Sequence, residues 1–206
     1  SQIGAGVSDF DLRAAKTGML ASSKIIDAVA VAITRHRITN LVVDPVMVAK
    51  GGARLLRDDA IDALRVRLLP LAAVITPNLP EAEVILGRPV RTLAERRGAA
   101  RDLVALGVRA AVVKGGHAEG DFTDVYWDGT NMVELTGARV PTANTHGSGC
   151  VFSAAIAAGL AKGLEPLAAV RGAKEFIEGS IEHSLEIGHG HGPVNPMFKD
   201  RLRAEG

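Results

Sequence analysis

At 206 residues the chain is close to the size at which one α/β domain buries a full core. Its residues are 47% hydrophobic but only 3% aromatic, so Ala, Val, Leu and Ile must build the interior, and a disordered chain is excluded. Lys plus Arg total 24 against 23 Asp plus Glu; this balance excludes a nucleic-acid footprint and leaves any anionic ligand to a local site.

In chain order, residues 14–19 read as a short strand leaving into a loop. Ser22 or Ser23 caps a helix whose apolar face runs through Ile26, Val29, Ala30 and Ile33. Residues 41–44 form an apolar run typical of a strand buried on both faces, and Pro45 limits its extension. Asp58 is expected to cap a second helix carrying Ile61, Leu64 and Leu68. The next strand, 73–76, is stopped by Pro77, and a helical stretch follows through Glu81, Val84 and Ile85. Thr92 and Glu95 have the spacing of a capping box, opening a helix that ends near Gly107. Residues 110–114 are another buried strand, broken by Gly115 and Gly116. Residues 124–127 and 132–135 flank a turn at Asp128-Gly129 and read as a hairpin. The tail is helical from 149 to about 162, and again from 166 to about 185. Buried strands alternating with helices predict a mostly parallel sheet covered by helices, in a single domain over 1–206.

Cys150 is the only cysteine. An intramolecular disulfide and a multi-cysteine metal site are thereby excluded, and a reducing cytoplasm is the expected compartment. No apolar run reaches the roughly 18 residues of a membrane span. The start carries no signal-peptide pattern. It also lacks an initiator methionine, from which a beginning downstream of the natural start is expected.

In such sheets ligands collect at the carboxyl ends of the strands, so the residues there carry the candidate chemistry. Gly147 and Gly149 flank Ser148 just before an Ala-rich apolar helix. Their unshielded N–H groups, together with the helix start, make a cradle for a phosphoryl group. The plainer alternative is a turn that lets helix and strand pack closely. Cys150 lies on the opening turn of that helix, where a negative charge is favoured; otherwise it is a small buried hydrophobe. Asp44 ends a buried strand, where a carboxylate is costly unless paired or exposed in a cleft, and Mg²⁺ is a plausible partner. Its alternative is a turn-initiating residue before Pro. Asn78 and Glu81 either face the cleft or simply cap their helix. Lys114 either reaches a phosphate or is solvated. His189-Gly190-His191 is a weak metal clip, two ligands without a third, and reads better as a structured turn.

Six ordered segments carry a resemblance across essentially the whole chain. They are Lys16-Thr17-Gly18-Met19-Leu20, Asp44-Pro45-Val46-Met47-Val48-Ala49-Lys50, Thr76-Pro77-Asn78-Leu79-Pro80-Glu81-Ala82-Glu83 and Lys114-Gly115-Gly116-His117. Asn144-Thr145-His146-Gly147-Ser148-Gly149-Cys150 and Gly188-His189-Gly190-His191-Gly192-Pro193 complete the set. In these the chain resembles the hydroxymethylpyrimidine/phosphomethylpyrimidine kinases of thiamine biosynthesis. The resemblance implies a ribokinase-like three-layer sandwich with a mostly parallel sheet and a small hairpin. It implies ATP-dependent phosphorylation of the pyrimidine alcohol and then of its monophosphate, with Mg²⁺, in a homodimer.

By the same resemblance, Gly147, Ser148 and Gly149 form the anion hole, and Cys150 stands where most ribokinase-like enzymes carry an aspartate base. Met19 and Val46 line the pyrimidine pocket with Cys150. Asp44 and Glu81 serve the metal, and Asn78, Glu81, Lys114 and Thr145 serve the nucleotide. Ser148 replaces the family's usual Thr, and Gly51 its usual Ser. The family's first strand, its Gly-rich substrate loop and its lid strands have no counterpart here, so weak nucleotide binding and poor turnover are expected of the chain as it stands. A pyridoxine or pyridoxal kinase and a non-catalytic nucleotide-binding module are the alternatives.

Overall fold

The computed structural model describes residues 2–47, 56–116, 122–137, 140–187 and 189–200. His117, Gly188 and residues 48–51 of the motifs above lie outside them. Four short apolar segments form a parallel array at its centre. They are β1 (Ala15–Thr17), β2 (Leu41–Val43), β3 (Ala72–Ile75) and β4 (Ala110–Val113), each hydrogen-bonded to the next. The hairpin β5 (Thr123–Trp127) and β6 (Met132–Thr136) continues the sheet antiparallel, giving six strands in sequence order. β2, β3 and β4 are buried at every position, as strands covered on both faces must be.

One face is covered by α2 (Ser23–Arg35), α3 (Asp58–Ala63), α4 (Leu79–Leu86) and α5 (Leu93–Ala105), whose apolar residues form one core with Val43, Ile75 and Val113. The other face is covered by α6 (Ser148–Ala161) and α7 (Pro166–Glu182), packed on Val42, Val74 and Val112. Helix, sheet and helix thus make the three layers expected.

The local signals work as their chemistry dictates. The Ser22 side chain caps α2 at the Ile25 N–H, and Ile26, Ala30 and Ile33 are the residues that α2 buries. Thr92 and Glu95 form a reciprocal capping box on α5. Two expectations need correction. Asp58 does not cap α3: Arg57 holds that position with no side-chain cap bond, and Asp58 falls in the first turn, where its charge suits the helix dipole. Nor does an α-helix run on to Leu68. Beyond Ala63 the chain widens into a π turn over Leu64–Leu68, then tightens into a 3₁₀ turn over Leu69–Leu71 that carries Pro70. The helix α1 (Gln2–Asp9) carries no buried residue, and no pattern in the sequence announced it.

The hairpin turn yields a pH prediction. Burial alone would raise the Asp128 carboxyl. Hydrogen bonds from the Asn131 side chain and N–H, the Thr130 N–H and the Tyr126 hydroxyl outweigh it and hold the carboxyl at about 2, against 3.8 ordinarily. A depressed carboxyl stabilises the fold above its unfolded value, and that stability is lost as pH falls towards the folded one. Asp128→Ala is therefore expected to melt below wild type at neutral pH, with the gap narrowing between about pH 4 and pH 2. Thermal melts across that range check it, and a gap independent of pH refutes it.

Candidate active site

The strand ends converge on Asp44. It follows β2, is only 2% exposed, and its N–H donates to the Thr17 carbonyl. One carboxylate oxygen, Oδ2, accepts from the Ser153 hydroxyl of α6 at 3.1 Å. Two ammonium groups flank it: Lys16 Nζ lies 3.7 Å from Oδ2 and Lys114 Nζ 3.8 Å from Oδ1. Both lysine side chains are largely buried, at 22% and 17% exposure. The reading of Asp44 as a mere turn residue is thus set aside, and so is that of Lys114 as a solvated strand end. Lys114 is fixed by its N–H bond to the Pro77 carbonyl and by a bridge to Asn78.

Lys114 also marks where α6 begins. An added Cβ on Gly149 would lie 3.3 Å from Lys114 Nζ, so the glycine lets the ammonium rest against the helix start. Gly147 holds a left-handed φ of 81°, which a residue with a side chain adopts only with strain, and it turns the chain into α6 without a side-chain cap. Ser148 N–H reaches the Thr145 carbonyl at 3.3 Å, and Val151 N–H the Gly147 carbonyl. The N–H groups of Gly149 and Cys150 have no acceptor among the described residues. These two free donors stand at the positive end of α6, where the glycine pattern predicts a donor-rich turn. Cys150 is exposed beside them, so it is not the small buried hydrophobe of the alternative reading.

Asn78 and Glu81 realise their plainer reading in full. Asn78 Oδ1 accepts from the Glu81 N–H at 2.9 Å, and Glu81 Oε2 from the Asn78 N–H at 2.8 Å. Burial pushes the Glu81 carboxyl up; Lys114 and the bonds from the Asn78 and Met47 N–H groups oppose that, and Asp44 adds to it. Val46, in the loop after β2, has a φ of 26°, unfavourable for a β-branched side chain. Strain of this kind is held where the surroundings over-determine it, commonly at a ligand pocket. Met19 is 52% exposed just beyond β1.

Whether the site suits Mg²⁺ turns on its donors. That ion takes one or two carboxylates and keeps waters and phosphate oxygens for its remaining positions. Asp44 fits, being fixed by Ser153 with neither lysine within hydrogen-bonding distance of its oxygens. Glu81 offers only Oε1, since Oε2 is spent on Asn78. Among the described residues no group of three or more His, Cys, Asp or Glu side chains is arranged to hold a metal without such help.

The residues that follow His-Gly-His form a structural clip, and His191 Nδ1 lies 3.2 Å from the Ala143 carbonyl. His146 N–H donates to the Gly192 carbonyl and Val194 N–H to the His146 carbonyl, while Asn144 Oδ1 accepts from the Gly192 N–H at 2.9 Å. The loop entering α6, Thr145 included, is thereby stitched to the tail. A second brace holds the turn after β4. Asp124 Oδ1 accepts from the Gly115 N–H and Oδ2 from Lys174 of α7, both at 2.8 Å. A Cβ at Gly115 would collide with the Thr123 carbonyl, so the turn needs glycine there.

Sequence reasoning left three residues of this cluster without a role. Lys16 stood in a motif with nothing assigned to it. Ser153 is a polar residue on an otherwise Ala-rich helix face, three positions after Cys150, and that break in pattern was the available signal. Thr76 Oγ1 is fully buried beside these strand ends with no partner among the described residues.

A three-layer α/β sandwich with a donor-rich helix start at the carboxyl end of its sheet defines the class, a ribokinase-like fold. The solved ADP complex of Bacillus subtilis pyridoxal kinase superposes with a TM-score of 0.88 at 38% identity, over 96% of this chain and 76% of that one. The family model described as phosphomethylpyrimidine kinase matches residues 1–195, and the chain belongs to that family. The hydroxymethylpyrimidine/phosphomethylpyrimidine kinase of Rhizobium meliloti is 46% identical over 203 residues, covering 97% of this chain and 76% of that protein. The protein of the same name from Bacillus subtilis is 42% identical over 196 residues, covering 94% of this chain and 72% of that protein.

Proposed function

We propose that this protein transfers the γ-phosphoryl group of ATP to the hydroxymethyl group of hydroxymethylpyrimidine, and then to the resulting monophosphate, in thiamine biosynthesis. The observation that carries the reading is the meeting of a buried aspartate flanked by two lysines, one of them resting against a helix start, with two unpaired N–H donors and an exposed cysteine at that start. Phosphoryl transfer demands mainly positioning and charge stabilisation. In the reaction an acceptor oxygen bonds to the γ-phosphorus while the bond to the β-phosphate oxygen breaks and ADP leaves. The Gly149 and Cys150 N–H groups receive the equatorial oxygens of the transferring group, and Lys114 lies against the same helix start to offset its charge. Cys150 takes the proton of the acceptor hydroxyl. Ser153 and the two lysines hold Asp44 in place. Asp44, with Glu81 Oε1, would hold Mg²⁺, which supplies charge neutralisation on the nucleotide phosphates.

Met19 and the strained Val46 stand as walls of the ring pocket, and Thr145 and Asn78 as nucleotide-side positions. Among the described residues no helix is long and apolar enough to cross a membrane; a cytoplasmic homodimer belongs to the same proposal and is read by light scattering of the purified protein. The decisive experiment measures ATP-dependent turnover of hydroxymethylpyrimidine, its monophosphate and pyridoxal by protein produced from the complete coding sequence. Both pyrimidines are expected to outrun pyridoxal in kcat/KM. Preference for pyridoxal would transfer the assignment to that vitamin. Nucleotide binding without turnover of any of the three would leave a non-catalytic module.

A further inference from the structure

Lys16 is the part of the cluster that this reaction scheme leaves with only a supporting part. Its ammonium is mostly withdrawn from solvent, and it stands 3.7 Å from Asp44, too far for a hydrogen bond. Among the described residues it has no hydrogen-bond acceptor. An ammonium partly withdrawn from solvent, with donors that no protein group takes up, is poised for a ligand that supplies acceptors. The two lysines are also not equivalent. Lys114 leans on Gly149 at the start of α6 and acts on Glu81 as well as on Asp44. Lys16 approaches the other carboxylate oxygen of Asp44, Oδ2. It sits 3.4 Å from where a Cβ of Gly18 would be, in the segment that leads on to Met19. On the kinase reading, Lys114 thus attends the transferring phosphoryl at the helix start, and Lys16 the Gly18-Met19 segment assigned to the acceptor.

The two acceptors differ in one respect that such a cation would sense. The alcohol is neutral, whereas its monophosphate carries between about 1.5 and 2 negative charges near neutral pH. We propose that Lys16 is the specificity-determining residue for the phosphorylated acceptor, its ammonium receiving the monophosphate's non-bridging oxygens while one oxygen of that phosphate faces the cradle of α6. This rests on the kinase reading above. In the second transfer an acceptor phosphate oxygen bonds to the γ-phosphorus, the bond to the β-phosphate oxygen breaks, and ADP departs. No proton has to be removed, because the attacking oxygen is already ionised.

The test compares wild type, Lys16→Met and Lys16→Arg from the complete coding sequence, with ATP and each pyrimidine acceptor in turn. In Lys16→Met the ratio of kcat/KM for the monophosphate to that for the alcohol is expected to fall by roughly 10-fold or more, carried by KM for the monophosphate, as befits a lost charge-assisted contact. Lys16→Arg is expected to recover most of the ratio. A residue that only holds Asp44 in place would depress both acceptors together and leave the ratio unmoved, which overturns the proposal, as does an unchanged ratio with unchanged rates. Calorimetric titration of the monophosphate into nucleotide-free protein separates the two levels of inference. If wild type turns over neither acceptor, the kinase reading falls. Equal affinity of wild type and Lys16→Met for the monophosphate then refutes the role of Lys16 by itself, and a loss of about 10-fold upholds it.

Discussion

Cys150→Ala is expected to lower kcat for hydroxymethylpyrimidine by roughly 10²–10⁴, the usual worth of a general base. Its KM for ATP should change little, because the cradle is built from backbone N–H groups of Gly149 and residue 150 that survive the substitution. The side chain is exposed, so truncation opens no core cavity and the melting temperature should hold to within a degree or two. The monophosphate supplies a second arm. A phosphate monoester has already shed most of its second proton near pH 7, so its attack needs no base, and the variant should retain most of its rate on that acceptor. Should Cys150 merely pack against the ring, the variant would raise KM for both pyrimidines several-fold and leave both kcat values nearly intact. Steady-state kinetics on the two acceptors distinguish these patterns.

The second large effect lies at Asp44. Asp44→Asn is expected to lower kcat by roughly 10²–10³, the equivalent of several kcal/mol of lost charge stabilisation in the transition state, and to raise the Mg²⁺ concentration needed for half-maximal rate. The position in the structure adds a stability cost that the sequence did not foretell. The substitution leaves two ammonium groups, 3.7 and 3.8 Å away, without their shared carboxylate. Breaking a fully buried pair costs about 3–5 kcal/mol. Here the cost is less, since both lysines retain a path to solvent. A melting temperature lowered by a few degrees, alongside the kinetic loss, is the expected pair of results. Wild-type Mg²⁺ titration curves in the variant would show that Asp44 serves the lysines alone.

Much of this molecule is written locally. The alternation of β-branched runs with capped amphipathic stretches determined a parallel sheet between helix layers, because each strand such as 41–43 is too apolar to face water on either side. Ser22, and Thr92 with Glu95, determined two helix starts through bonds that span three residues, and Asp128-Gly129 determined the hairpin turn. The glycines around Ser148 determined a donor-rich helix start, since left-handed backbone at Gly147 strains any side chain and Lys114 packs closely on Gly149.

What remained illegible depends on partners distant in the chain. The π and 3₁₀ turns after Ala63 had no local signal strong enough to stop the helical pattern before Pro70. Asp44, Ser153, Lys16 and Lys114 come from four separate segments, and a carboxylate's partners 28, 70 and 109 residues away leave no spacing to read. The capping role of Glu81 takes Oε2 and leaves only Oε1 for the proposed metal role, a division visible only once both carboxylate atoms are placed. Sequence alone determined which residues bear charge and where the backbone must bend. Only the packing of α6 against β1 and β2 decided that two lysines share one buried aspartate, because desolvation and distance are properties of the assembled layers and not of any one segment.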